Sequence, residues 1–362
     1  MSADRTICLL SSDGLVEEAR SIQYINRLSI LAVYAVITAR GALGVTTPMR
    51  PFTTDWWLGC WLLYVAQAAI PILVMTRGAL MLGHERQECT LGCHRRRLYP
   101  VGIPLIFWTV FYLIVRRVVD GEHLTAGSIT AMILTGNAYD HLWLLYMMAG
   151  LYLVTPVLRT FVQRSSRRDR ILVIVVVLLL ASAYFQTDSL LRNDPQSIFT
   201  MFIPFIGYYL CGYELRRIDP KTIPTGFPSL AVIVSAIYLA AFAPAFLDRA
   251  GGAGTPYLFG FFSLPTVFLS VAIFWAAYLH DTTANPPEGF PKRALEQVAS
   301  TTLGIYVLHP LVLTCITDRL GNHAGDGSFL SAVIVVPMAT FAACCLITSV
   351  MMNIPLLRRT VS

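Results

Sequence analysis

The sequence predicts an all-α fold: a polytopic membrane bundle of about ten transmembrane helices with both termini on the cytoplasmic side. Three observations carry that expectation. Of 362 residues, 56% are hydrophobic and only 13% charged, where a soluble domain carries about a quarter charged residues. The apolar residues fall in runs of about 20, the length needed to cross a hydrocarbon core. Between those runs, lysine and arginine concentrate in alternate connections, as cytoplasmic loops require. A soluble enzyme is therefore excluded. The formal net charge of +6 is broken into short clusters and forms no single basic surface, so nucleic acid is not a partner and the lipid bilayer is.

Residues 1–27 contain one very short apolar stretch and the adjacent acids Glu17 and Glu18. They read as a cytosolic tail and not as a cleaved signal. The spans follow at 28–47, 57–82, 100–118, 141–159, 171–187, 198–215, 228–247, 255–279, 302–318 and 329–352, and 353–362 forms a second cytosolic tail. The fifth is the cleanest, with Ile171–Phe185 wholly uncharged, whereas the first and second enclose Arg40 and Arg77. With the N-terminus inside, 19 lysines and arginines fall on the cytoplasmic side and 6 outside, a split that an error of one span would scramble. No loop is long enough for a separate domain, so 28–352 is one transmembrane unit. Five of the eight cysteines, Cys60, Cys211, Cys315, Cys344 and Cys345, lie in apolar runs, where thiols behave as small hydrophobes. Cys89, Cys93 and His94 have no second pair to complete four zinc ligands, so no metal is expected.

Polar groups inside spans are costly and mark a cavity, a ligand or a packing device. Arg40 lies about seven residues from the outer end of its span, and no acid stands within any span to meet it, leaving an anionic ligand or backbone carbonyls. Arg77, about five residues or 8 Å from the cytoplasmic end, either meets such a ligand or snorkels to the interface. His309 lies about 11 Å into the ninth span. Pro310 biases it away from helical geometry, which predicts a helix break there. His141 is placed at the outer end of the fourth span. Both histidines are candidates for proton transfer or for interhelical hydrogen bonding alone.

Three segments carry a resemblance: Asn26-Arg27-Leu28 opening the first span, Asp140-His141-Leu142-Trp143 opening the fourth, and Leu303-Gly304-Ile305-Tyr306-Val307-Leu308-His309-Pro310 in the ninth. Arg95-Arg96-Arg97-Leu98-Tyr99-Pro100, Pro71 through Leu80, and Gly207-Tyr208-Tyr209-Leu210-Cys211-Gly212-Tyr213 match in order and spacing. Together they resemble the acyltransferase 3 family, integral-membrane enzymes that move acyl groups, usually acetyl from acetyl-CoA, onto bacterial surface and lipid-linked glycans. The resemblance implies residence in the bacterial inner membrane, acyl-CoA as a co-substrate with no tightly bound cofactor, and a glycan or lipid-linked saccharide as acceptor. It departs at Arg77, where a small or hydroxyl residue is usual, and more seriously at one other point. The family's first helix carries an arginine and, eleven positions later, a histidine serving as base; here Arg27 is followed by Thr38, and a hydroxyl cannot act as a base near neutral pH.

Arg27, Tyr34 and Thr38 share one helix face, with Thr38 about 16 Å deeper than Arg27, a geometry for gripping a CoA phosphate at the mouth. Arg27, Arg95, Arg97 and Arg77, with Tyr34 and Thr38, are the expected donor contacts. His309 or His141 is left to supply the base. Trp143, Tyr146, Tyr152 and Arg40 are the expected acceptor contacts, although aromatics near helix ends serve equally as interfacial anchors. Two other readings remain open: a family member that binds without turnover, and a transporter or flippase with Arg40 and Arg77 along an anion path. The paired Gly/Pro-interrupted helices that many transporters show in their two halves are not found.

Overall fold

The computed structural model describes residues 12–47, 49–50, 52–83, 91–191, 197–219, 260–283, 292–321 and 329–361, with scattered positions between 226 and 237. The described residues are 83% helical, with no strand among them. Helix α1 runs Ser12–Thr46, so the segment read as an N-terminal tail is already helical from Ser12. The second span is α2 (Thr54–Gln67) and α3 (Ala69–Leu82), separated near Pro71, whose missing N–H cannot continue the α2 ladder. Then come α4 (Leu91–Val118), a short α5 (Ala126–Leu134), α6 (Trp143–Arg164) and α7 (Arg167–Leu191). Next are α8 (Ile206–Leu215), α9 (Leu264–Thr283), α10 (Lys292–Ser300) and α11 (Thr302–Gly321). A π turn at Ser331–Val335 leads into α12 (Val336–Met352), and α13 (Pro355–Val361) ends the chain.

Six helical stretches among the described residues are long and apolar enough to cross a bilayer: Gln23–Thr46, Thr54–Leu82, Val101–Val118, Trp143–Arg164, Leu264–Thr282 and Ser331–Asn353. The bent pair Arg293–Ser300 and Thr302–Arg319 makes a seventh if it counts as one span. These correspond to seven of the ten expected. The expected span 171–187 lies inside α7. The one at 198–215 is shortened to ten-residue α8, because the chain before it closes i to i−3 turns at Thr200, Ile203 and Phe205 around Pro204. The span expected at 228–247 lies outside the described residues.

Close backbone approach organises the bundle. A Cβ on Gly78 would stand 1.9 Å from the carbonyl oxygen of Tyr209, and one on Gly212 would stand 2.0 Å from that of Met75. Helices α3 and α8 thus cross in mutual backbone contact, the small-residue packing that holds helices together where the surrounding solvent is apolar. Arginines counted as topology signals have structural work at one end of this crossing. Arg159 donates through Nε and Nη2 to the carbonyl of Met81, and Arg216 donates to that of Ala79 at 3.2 Å, capping the last turn of α3. Arg170 forms a buried ion pair with Glu214. The segment read as a C-terminal tail also has a place. Thr360 and Val361 are buried, and the Trp108 indole donates to the Thr360 carbonyl at 2.8 Å.

Replacing Gly78 or Gly212 by leucine drives a side chain into the partner backbone, and a loss above about 3 kcal/mol is expected. Thermal unfolding in detergent checks this: a Tm within a few degrees of the parent would show that α3 and α8 do not need this approach.

Candidate active site

The expected break at His309 is absent: α11 continues through Pro310. The chain bends instead by 56° between Ser300 and Thr302. Proline has no N–H, so the carbonyl of Tyr306, four residues back, loses its helical donor. The Nδ1–H of His309 takes that place and donates to it. Because a carbonyl only accepts, the proton must sit on Nδ1, and Nε2 carries a lone pair. His309 is 0% exposed, and its Nε2 has no hydrogen-bond partner.

One residue along, the carbonyl of Val307 accepts from the Tyr112 hydroxyl at 2.6 Å and from Nε2 of His141 at 3.1 Å. The same logic puts the His141 proton on Nε2 and leaves Nδ1 as the lone-pair nitrogen, also buried and unpartnered. The two imidazoles lie 5.4 Å apart at 73°. The sequence placed His141 at an outer mouth; it is instead 3% exposed and level with Val307. The reason is the loop before α6, which dips into the bundle on buried Ala138 and Leu142. The Tyr306 hydroxyl ties this loop down by donating to the His141 carbonyl at 2.8 Å.

Beside this pair is a cavity of about 500 Å³ between α1, α3, α6 and α11. Its wall is mostly apolar, with Tyr152, Thr155, Ser300 and Thr302 adding hydroxyls and Arg77 the charge. No described carboxylate lies within ion-pair distance of Arg77. Tyr306 closes the cavity toward the histidines: its side chain lines the wall, its hydroxyl bonds the His141 carbonyl, and its own carbonyl holds His309. Neither histidine is itself in the wall.

The remaining expected residues scatter. Arg27 is paired with Asp281, which is 6% exposed, and links α1 to α9 outside the cavity. Tyr34 packs edge-on against Phe341 at 5.8 Å, and the Thr38 hydroxyl bonds back to the Tyr34 carbonyl at 3.0 Å. The face carrying Tyr34 turns toward α12, and Val33 is the α1 residue in the cavity wall. The expectation that Arg40 meets no acid is corrected: Asp140 lies 3.6 Å away, supplied by the loop and not by any span. Trp143 packs on Phe205 and Phe261, and the Tyr146 hydroxyl bonds that of Thr109 at 2.9 Å, so both are engaged in packing. Tyr152 does line the cavity. The side chains of Arg95 and Arg97 lie outside the described residues, as do Cys89 and the side chains of Cys93 and His94. Among the described residues no group of three His, Cys, Asp or Glu side chains is placed to hold a metal.

A family model described as an acyltransferase domain matches residues 20–349. The chain belongs to the acyltransferase 3 family. Comparison with curated proteins and with solved structures returns no match. Within this acyltransferase, the residues that sequence reasoning missed are Tyr306, Tyr112 and the acids Asp140 and Asp281. Tyr306 had a usable signal, since it stands four residues before Pro310 and its carbonyl is the one a proline must orphan.

Pro310→Ala restores an N–H that competes with His309 for the Tyr306 carbonyl. In protein carrying 15N-labelled histidine, His309 is expected to show the Nδ1–H tautomer in the parent and a mixture in the variant. An unchanged tautomer would show that proline does not set it.

Proposed function

We propose that the protein transfers an acyl group, acetyl in the simplest case, from acyl-CoA to a hydroxyl of a glycan or lipid-linked saccharide. The observation that carries this reading is the His141–His309 pair, each ring with its proton committed to a carbonyl and its other nitrogen free, next to a cavity holding one unpaired arginine. Such a nitrogen is a base, and a cation in an apolar cavity calls for an anionic ligand.

In this reading the donor enters from the Arg77 end, its phosphates near Arg77 and the basic stretch containing Arg95 and Arg97, and its thioester beneath Tyr306. The acceptor approaches from the Arg40 end. The acceptor oxygen attacks the thioester carbon while its proton passes to Nε2 of His309, the ring more deeply held, with Nδ1 of His141 as the neighbouring acceptor. The C–S bond then breaks, and the proton goes to the departing sulfur, giving CoA thiol and an ester. His309 carries the base role that the family resemblance would place at position 38. Movement of the Tyr306 side chain is required for donor and base to meet. Arg27, bound to Asp281, takes part in donor binding only if that pair opens.

The wider setting belongs to the same proposal: about ten spans, both termini cytoplasmic, in a bacterial inner membrane, with 28–352 as the working domain. The alternation of basic loops supports it, as does the apolar outer face of α7 at Leu172, Val175, Val176, Leu179 and Leu180.

His309→Ala is expected to lower acyl transfer from acetyl-CoA by about 10²–10⁴-fold, the contribution of a positioned base, while equilibrium binding of acetyl-CoA persists. Full activity in that variant would remove the role of His309. Binding without any turnover in the parent would identify a family member that only holds its donor. Arg77→Gln is expected to raise KM for acetyl-CoA about tenfold or more, and Arg27→Gln less; the reverse order would move the phosphate contact to Arg27.

A further inference from the structure

At the end of the bundle away from Arg77, a ring of charged groups stands over the histidine pair. Asp140 and Arg40 face each other at 3.6 Å, beyond hydrogen-bond reach, with side chains 74% and 39% exposed. Beyond this loose ion pair, no hydrogen bond among the described residues engages the donors of Arg40 or the acceptors of Asp140, so another polar molecule can use them. Tyr139 lies beside them, half-buried, its ring 4.4 Å from that of Tyr112 and 5.7 Å from His141. Asp120, Asp140, Arg40 and Arg116 all stand close enough to act on its phenol.

The groups around this pair are held in place. Arg116 is anchored by Glu122 at 2.9 Å and by the carbonyls of Asn137 and Ala138, each at 3.3 Å, while Arg117 bonds the Glu122 carbonyl at 3.2 Å. Three arginines thus oppose the three carboxylates of Asp120, Glu122 and Asp140. Such a balance attracts neither a polyanion nor a cation. What it offers is donors and acceptors side by side, next to an aromatic ring.

Resting on the acyl-transfer reading above, we propose that Tyr139, Asp140 and Arg40 form the acceptor subsite, and that it takes a neutral saccharide ring, stacked against Tyr139. One hydroxyl bridges Asp140 and Arg40, accepting from the guanidinium and donating to the carboxylate. A neighbouring hydroxyl then points toward the histidine pair, whose His141 ring lies 5.7 Å from that of Tyr139. The subsite explains why the loop dips into the bundle at Ala138 and Leu142: it brings an exposed recognition residue and a buried base within two positions of each other.

The test uses the full chain in detergent or nanodiscs, with methyl α-D-glucopyranoside, methyl β-D-galactopyranoside and glucose 1-phosphate as probes. Saturation-transfer NMR reads binding without turnover, and labelled acetyl-CoA reads transfer. Binding of at least one neutral glycoside is expected, weakened about tenfold or more by Asp140→Asn and by Tyr139→Leu and largely retained by Tyr139→Phe. In the transfer assay these variants raise KM for the glycoside and not KM for acetyl-CoA. Variants within twofold of the parent in glycoside binding would overturn the subsite, as would tighter binding of glucose 1-phosphate than of either neutral glycoside. Glycoside binding that depends on Tyr139 and Asp140 without acetyl transfer would keep the subsite and overturn the acyl-transfer reading.

Discussion

A backbone carbonyl enclosed by helices and lipid must find a donor, because no water reaches it and leaving it bare costs several kcal/mol. Pro310 creates such a carbonyl at Tyr306, and much of the centre of this bundle follows from its satisfaction. His309 answers it from within the same helix, and α11 runs on unbroken where a break was expected. The adjacent carbonyl of Val307 draws Tyr112 from α4 and His141 from the loop before α6. Two elements far apart in sequence are thus fastened to one stretch of α11. The chemistry comes with the fastening: each histidine spends its proton on a carbonyl, so each is left with a bare nitrogen in a dry place.

The same need governs the opposite end of the cavity. The last turn of α3 exposes carbonyls, and Arg159 and Arg216 cap them. Arg170 neutralises Glu214 on α8 nearby. With those cations committed to structure, Arg77 is the charge facing the cavity. The Gly78 and Gly212 contacts place α3 against α8 closely enough for these caps to reach. Arg159 and Arg216 are therefore consumed by a helix terminus, whereas Arg77 is presented to the cavity. A count of basic residues treats the two kinds alike.

Composition made the fold class legible, and seven of the predicted spans match helices long and apolar enough to cross a bilayer, with the bent pair Arg293–Ser300 and Thr302–Arg319 counted as one. Periodicity could not foresee that 198–215 begins as a series of tight turns, since Pro204 and the i to i−3 closures act over a few residues inside an otherwise apolar run. At the site, His309, His141, Arg77 and Tyr152 were visible as polar or aromatic groups in apolar segments. Their grouping was not, because it depends on a loop folding inward at Ala138 and Leu142, residues that carry no polar signal. The Arg27–Asp281 pair was hidden for a related reason: Asp281 was assigned to a loop because α9 was ended at 279, yet the helix continues to Thr283.

The threonine at position 38 changes meaning in this setting. Its hydroxyl is turned back onto the carbonyl of Tyr34, and it stands outside the cavity wall. A histidine there would have to reach across from a face that packs toward α12. The two imidazoles on α11 and before α6 stand behind the cavity wall formed by Tyr306, each with a buried nitrogen that has no hydrogen-bond partner. The orientation of both rings is set by carbonyls on α11 and not by α1. Helix α1 is then free to serve as wall through Val33 and as anchor through Arg27. In the acyl-transfer reading proposed above, that division of labour lets the first helix keep Arg27 without a histidine at position 38.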